Sequence, residues 1–166
     1  ENRLDFPEHI FYEDNCAGPL WSLYFRNFAR VEEPLYYYYQ HAVSTVHHIT
    51  EEKCRDRMKA AELLYTGCRD RGFLAEYRQE IEYRFTELYY AITLFSYMSG
   101  VKKPKISFIR ELRQGTEKYF PEFDQNKYYL QHTGTEEQKL IAMQRKSDLR
   151  FYLYYRLRQF VWKLRA

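Results

Sequence analysis

Glycine and proline are scarce in this chain, with 6 and 5 among 166 residues, so neither a collagen-like repeat nor a loop-dominated chain fits. Long apolar runs are missing too. The best stretch, Leu88 to Met98, is broken by Thr93 and Ser96 and falls short of the roughly 18 to 20 residues that span a bilayer. No secretory signal opens the chain, which starts Glu-Asn-Arg-Leu-Asp without an initiator Met, so Glu1 is expected not to be the natural start. Cysteine occurs only at 16, 54 and 68, an odd number without metal-like pairing. Cys54 and Cys68 fall on one helical face but about four turns apart, too far to bridge within one helix. All three are expected to be small buried hydrophobes in a reducing cytosol.

What is abundant is aromatic. The 18 Tyr, 12 Phe and 2 Trp exclude long disorder, and the length fits one ordinary domain with a real core. The net charge of +3 is unevenly placed. Residues 1–50 carry 3 basic and 7 acidic side chains, residues 51–144 carry 16 and 15, and residues 145–166 carry 7 and 1. The basic character belongs to the tail, which points to an anionic surface as its partner.

Residues 1–50 read as mixed structure: a helix within Glu13 to Phe28, then short strands at Phe28–Val31 and Leu35–Tyr39 flanking Glu32-Glu33-Pro34. From Thr50 the period becomes helical. Thr50 with Glu51 and Glu52 marks a capped start, and Cys54, Met58, Ala61, Tyr65 and Cys68 step by four and three up to Gly72. A second helix follows Leu74, Tyr77, Ile81, Phe85, Leu88, Ile92 and Phe95 to Gly100, making an antiparallel hairpin with the first. A third runs from Lys105 to about Tyr119. Phe120 to Thr133 reads as loop, and Thr135-Glu-Glu-Gln138 opens a short helix with a capping-box look. In the tail, Leu149, Leu153, Leu157, Phe160 and Leu164 form one stripe, with six aromatics between Phe151 and Trp162. The stripe is expected to pack inward on the hairpin, with the Arg and Trp edge facing solvent or lipid. The fold expected is mainly α: a bundle of four to five helices over 51–166, after a small α/β remnant of one helix and two strands over 1–50.

Two polar clusters stand in the first fifty residues. Phe11-Tyr-Glu13-Asp14-Asn15 puts adjacent acids before the first helix, where they complement its macrodipole. Gln40-His41-Ala-Val-Ser44-Thr45-Val-His47-His48 gathers three histidines without a standard zinc spacing. Read in order, Phe6-Pro through Glu13-Asp14, Ala29-Arg-Val-Glu-Glu-Pro34-Leu35-Tyr36, then Ser44-Thr45-Val46-His47, the chain resembles the C-terminal part of bacterial family 2 glycosyltransferases, inverting enzymes of the GT-A fold. The helical remainder, with Lys127-Tyr-Tyr129, Glu136-Glu-Gln-Lys139 and a basic aromatic last helix, is similar to transferases of capsule and exopolysaccharide synthesis.

The resemblance implies that residues 1–50 are the acceptor-side remnant of a GT-A catalytic domain and 51–166 its helical extension. Asp14 would be the general base that takes the acceptor hydroxyl's proton, and Glu13 its neighbour that orients it or binds acceptor hydroxyls. His47, His41 and Ser44 would meet the donor diphosphate, with His47 reaching its Mg or Mn ion. His41 stands where family members often carry Arg. The Gly-rich turn and Asp-x-Asp of the family's nucleotide-sugar half are missing from these residues, so the chain is expected to be a C-terminal fragment, inactive by itself. The partners implied are a nucleotide-sugar and a saccharide or lipid-linked acceptor, not nucleic acid. The location implied is cytoplasmic, peripheral at the inner membrane face through residues 145–166. Three other readings remain open on the residues: a non-catalytic helical module binding a membrane surface or partner protein, a nucleic-acid binder using the tail, and a metal hydrolase using the histidines.

Overall fold

A computed structural model describes residues 5–37, 39 and 48–165. The first helix, α1 (Asp14–Ser22), is shorter than the expected span, ending where the Leu23 N–H bonds Trp21 O. The two expected strands are a correction. No strand occurs among the described residues, and those of 28–39 run without regular structure. Phe28, Leu35, Tyr36 and Tyr37 are each more than three-quarters exposed. A strand is held by a paired neighbour and a buried face, and these exposed side chains give it no buried face. Among the described residues of 1–50 the expected α/β remnant is therefore reduced to α1 and chain without regular structure.

The first long helix forms as its period implies. In α2 (Glu51–Asp70) the Thr50 Oγ1 accepts the Lys53 N–H at 3.2 Å, with Glu51 and Glu52 in the first turn. Cys54, Met58, Ala61, Leu64 and Cys68 are buried. The chain turns at Gly72, whose φ of +79° is a conformation glycine enters without a Cβ clash. Next come α3 (Phe73–Glu76), α4 (Arg78–Phe85), a π-helical segment (Thr86–Ile92) and α5 (Thr93–Gly100). The rod from α4 to α5 lies antiparallel to α2. Tyr97 near its end donates to Glu51 at the start of α2 at 3.3 Å, and Ile81 near its start packs with Cys68.

The π segment overturns the expected stripe. A wide turn holds one residue more than an α turn, so the inward face advances by one position. After Leu88 the buried residues are Tyr89, Tyr90, Ala91, Thr93, Leu94, Tyr97 and Met98, while Ile92 turns outward at 39% exposure. Thr93 Oγ1 donates to the Leu88 carbonyl, five residues back, at 2.6 Å.

α6 (Ile106–Tyr119) crosses this rod closely. A Cβ at Gly115 would meet Tyr89 ring carbons at 2.7 Å. The expected loop after it holds a 3₁₀ turn (Phe123–Gln125) and α7 (Lys127–His132). α8 (Thr135–Lys146) begins one residue earlier than a Thr135 capping box requires: Gly134 is the N-cap and Thr135 the first helical residue. α9 (Asp148–Arg165) closes the bundle.

Two cores result. The main one joins α2, the rod, α6, α7, α8 and α9 around Phe85, Tyr90, Leu94, Phe108, Ile141 and Phe151. A smaller one, Cys16, Ala60, Leu64, Cys68 and Ile81, seats α1 on α2. The Leu stripe of α9 is in neither. Phe151 is fully buried and Tyr155 packs against the main core, whereas Leu149, Leu153, Leu157, Phe160 and Leu164 are exposed. The expectation of an inward stripe is reversed: aromatic residues and Gln159 face the bundle.

Candidate acceptor site at the start of the first helix

Phe11 and Tyr12 are pinned to α2 before α1 begins. The Phe11 N–H donates to Asp56 Oδ2 at 3.1 Å, and Lys53 lies over the Phe11 ring at 5.3 Å. Phe6 meets Trp21 edge-on at 4.6 Å. Tyr12 takes a φ of +67°, a sparsely populated conformation for a residue with a bulky side chain. Its ring covers the Arg57 guanidinium at 4.3 Å. Arg57 is 7% exposed, and its Nη1 and the Tyr12 hydroxyl are both buried without a hydrogen-bond partner among the described residues.

This reversal of the chain delivers Glu13 as the residue before α1 and Asp14 as its first. Asp14 is exposed and accepts from Asn15 Nδ2 at 3.0 Å. The Asn15 amide oxygen in turn accepts Arg84 Nη2 at 3.0 Å. Arg84 also pairs with Glu87 at 2.5 Å, and Glu87 accepts the Tyr83 hydroxyl at 3.1 Å. Burial, then the Glu87 charge and hydrogen bond, push the Tyr83 phenol up, so it stays a donor at neutral pH. A polar chain thus runs from the π segment to the residue beside Asp14. The Asp14 carboxylate keeps an open side facing solvent, and the helix N-terminus complements its charge. Such a group can accept a hydrogen bond or a proton from a hydroxyl brought to it.

His41, Ser44 and His47 lie outside the described residues, so the two expected clusters are not compared in space. His48 is exposed, and its carbonyl accepts Lys53 Nζ at 2.8 Å. Among the described residues no three of His, Cys, Asp and Glu gather as a metal site. A cleft of about 190 Å³ elsewhere, lined by Phe95, Glu136, Leu140, Tyr155, Arg158 and Trp162, contains none of the expected site residues.

Sequence reasoning did not find Arg84, Glu87 and Arg57. Arg84 meets Asn15 across 69 positions, and no local pattern announces such a pair. Arg57 did leave a trace, as a basic residue beside Met58 on the otherwise apolar face of α2. No protein-family model, curated protein or solved structure matches the chain.

Proposed function

We propose that the chain forms the acceptor side and helical extension of an inverting transferase. Such an enzyme moves a sugar from a nucleotide-sugar to a saccharide or lipid-linked acceptor in surface-polysaccharide synthesis. The observation that carries this reading is the exposed Asp14 carboxylate at the start of α1, on a segment fixed by Asp56 and by the Arg84–Asn15 bond. It agrees with the order of Glu13-Asp14, Pro34-Leu35-Tyr36 and Ser44-Thr45-Val46-His47 in the sequence.

In this reading the acceptor hydroxyl attacks the anomeric carbon while its proton passes to Asp14. The new C–O bond forms as the bond to the diphosphate breaks, and the diphosphate leaves with the electron pair. Glu13 holds neighbouring acceptor hydroxyls. His47, with Ser44 and His41, meets the diphosphate. A divalent Mg or Mn ion would supply further positive charge there, with His47 as this chain's contribution. The nucleotide-sugar half belongs to residues other than these 166.

The test uses the full-length enzyme. Asp14→Asn should lower turnover on the order of 100- to 10,000-fold while nucleotide binding persists. His47→Ala should weaken donor binding more than His41→Ala. Near-normal turnover of Asp14→Asn removes Asp14 from the role, and equal negligible effects of both histidine variants remove the diphosphate assignment.

A further inference from the structure

We propose that the outer face of α9 docks on an anionic lipid bilayer, with the helix lying along the membrane surface. The inward side of α9 is engaged by the bundle from Phe151 to Gln159. Phe151 is buried, Gln159 Nε2 donates to the Met98 carbonyl at 2.9 Å, Tyr155 stacks with Phe95, and Arg158 pairs with Glu136. At 100° per residue the opposite side gathers Leu149, Leu153, Leu157, Phe160 and Leu164 within an arc of about 80°. Their exposures run from 54% to 71%, so five large apolar side chains form one stripe that the described structure leaves uncovered.

Charge decides what covers it. Arg156 and Lys163 line one edge of the stripe, and Arg150 with Tyr154 the other, all exposed. The only acid of the helix, Asp148, is turned inward to Arg110 and Arg113. Arg150, Arg156 and Lys163 make no ion pair with any described residue. The basic edge continues into a shallow groove of Lys139, Ala142, Met143, Lys146 and Arg150 on the α8 side. Two copies joined through this face would set these cations against each other with no acid to answer them. A bilayer with acidic headgroups matches both components at once. Headgroup phosphates meet the two basic edges, and the leucines enter the acyl boundary between them. No helix among the described residues is long and apolar enough to cross a membrane, so the contact is lateral. The proposal does not depend on the transferase reading.

Vesicle co-sedimentation of the full-length protein tests it. Phosphatidylglycerol mixed into phosphatidylcholine should bind the protein at low salt, pure phosphatidylcholine should not, and high salt should release it. Arg156→Glu with Lys163→Glu, and separately Leu153→Ser with Leu157→Ser, should each weaken binding about tenfold or more. All four residues are exposed, so thermal melts of these variants should match the parent, which separates lost docking from lost folding. The proposal is overturned by no binding to the acidic vesicles, by equal binding to neutral ones, or by binding that the leucine variant retains. It is also overturned if the leucine variant dissolves a dimer of a protein that ignores vesicles. Asp14→Asn should leave vesicle binding unchanged, which keeps this result separate from the catalytic test.

Discussion

Single residues matter most in this protein where a charge is taken out of water and answered from far along the chain. Asp148 is the clearest case. Its side chain is 8% exposed and accepts Arg110 Nε at 3.2 Å, Arg113 Nε at 3.0 Å and Arg113 Nη2 at 3.1 Å. Gln144 Nε2 adds a longer bond at 3.4 Å and also donates to the Ile109 carbonyl at 2.6 Å. Burial alone would push this carboxyl up. The hydrogen bonds and charge of Arg113, with the hydrogen bonds of Arg110 and Gln144, outweigh it and hold the group below its ordinary value. Because the folded carboxyl titrates lower than the unfolded one, its stabilisation is complete above the unfolded value of about 3.9 and fades as the pH falls through the folded value. Asp148→Asn should therefore cost about 2 kcal/mol at pH 7, less than for a fully buried pair because Arg110 is 55% exposed. Urea denaturation of both proteins should show that gap closing below pH 4 or so. A gap that is constant with pH would mean the carboxylate charge is not what holds α6 to α9. None of this was legible beforehand. Thr50 could be read as a cap because its partner is three residues away, whereas Asp148 meets arginines 35 and 38 positions back. The same distance effect hid Arg84 behind Asp14. The acid pair was visible as a local motif, and the side chains that steady its neighbour were not.

At the scale of elements, period was a good guide to where helices lie and a poor one to how they are rotated. α2 and α6 start and stop within a residue or two of the expected bounds. The second long helix is broken at Tyr77, between α3 and α4, and changes its face after Leu88, because a π turn has no residue signature that a three-four step count detects. The last helix carries apolar residues on two sides. Both the Leu stripe and the Phe151–Tyr155 side satisfied the period, and aromatic packing against Phe95 settled which one faces the core. α7 was missed for another reason. Its six residues are too few to display a period, and it depends on Asn126 instead. That side chain is 3% exposed and accepts the N–H groups of Tyr128 and Tyr129 at 2.9 and 3.3 Å. It also donates to the Gln79 carbonyl at 2.9 Å and Glu82 Oε2 at 3.2 Å, tying α7 to α4. Asn126→Ala removes a cap and leaves the Gln79 carbonyl without this donor, so it should cost about 2 kcal/mol. Asn126→Asp keeps the acceptor but sets a carboxylate beside Glu82, and should recover little of that loss at neutral pH. If both variants melt with the parent protein, the cap is not what holds α7 in place.

On the scale of the whole molecule, the separation into a main and a small core makes the attachment of α1 a distinct structural event. α1 has no part in the main core. It sits on α2 through Cys16 and Leu20, and Leu20 packs so closely on Gly67 that a Cβ there would meet its Cδ2 at 2.8 Å. Opening free energies differ across a fold according to how much apolar contact each unit holds. The segment that presents Asp14 should therefore lift from α2 more readily than the bundle unfolds. The three free thiols report on this directly, because Cys16 and Cys68 belong to the small core and Cys54 to the main one. All three are buried. Desolvation pushes the Cys16 thiol up, and pushes Cys54 and Cys68 to about 11, so alkylation at neutral pH must await an opening that returns each group to water. Cys16 and Cys68 should be modified together, faster than global unfolding and with a shallow dependence on urea. Cys54 should follow at the rate and urea slope of global unfolding. Leu20→Ala trims the contact with Gly67 and should speed the first pair while leaving Cys54 almost unchanged. Timed alkylation read by peptide mass separates the outcomes. If all three thiols react at one rate with one urea slope, α1 and the bundle are a single cooperative unit, and the segment that carries Asp14 cannot open independently of the helices beneath it.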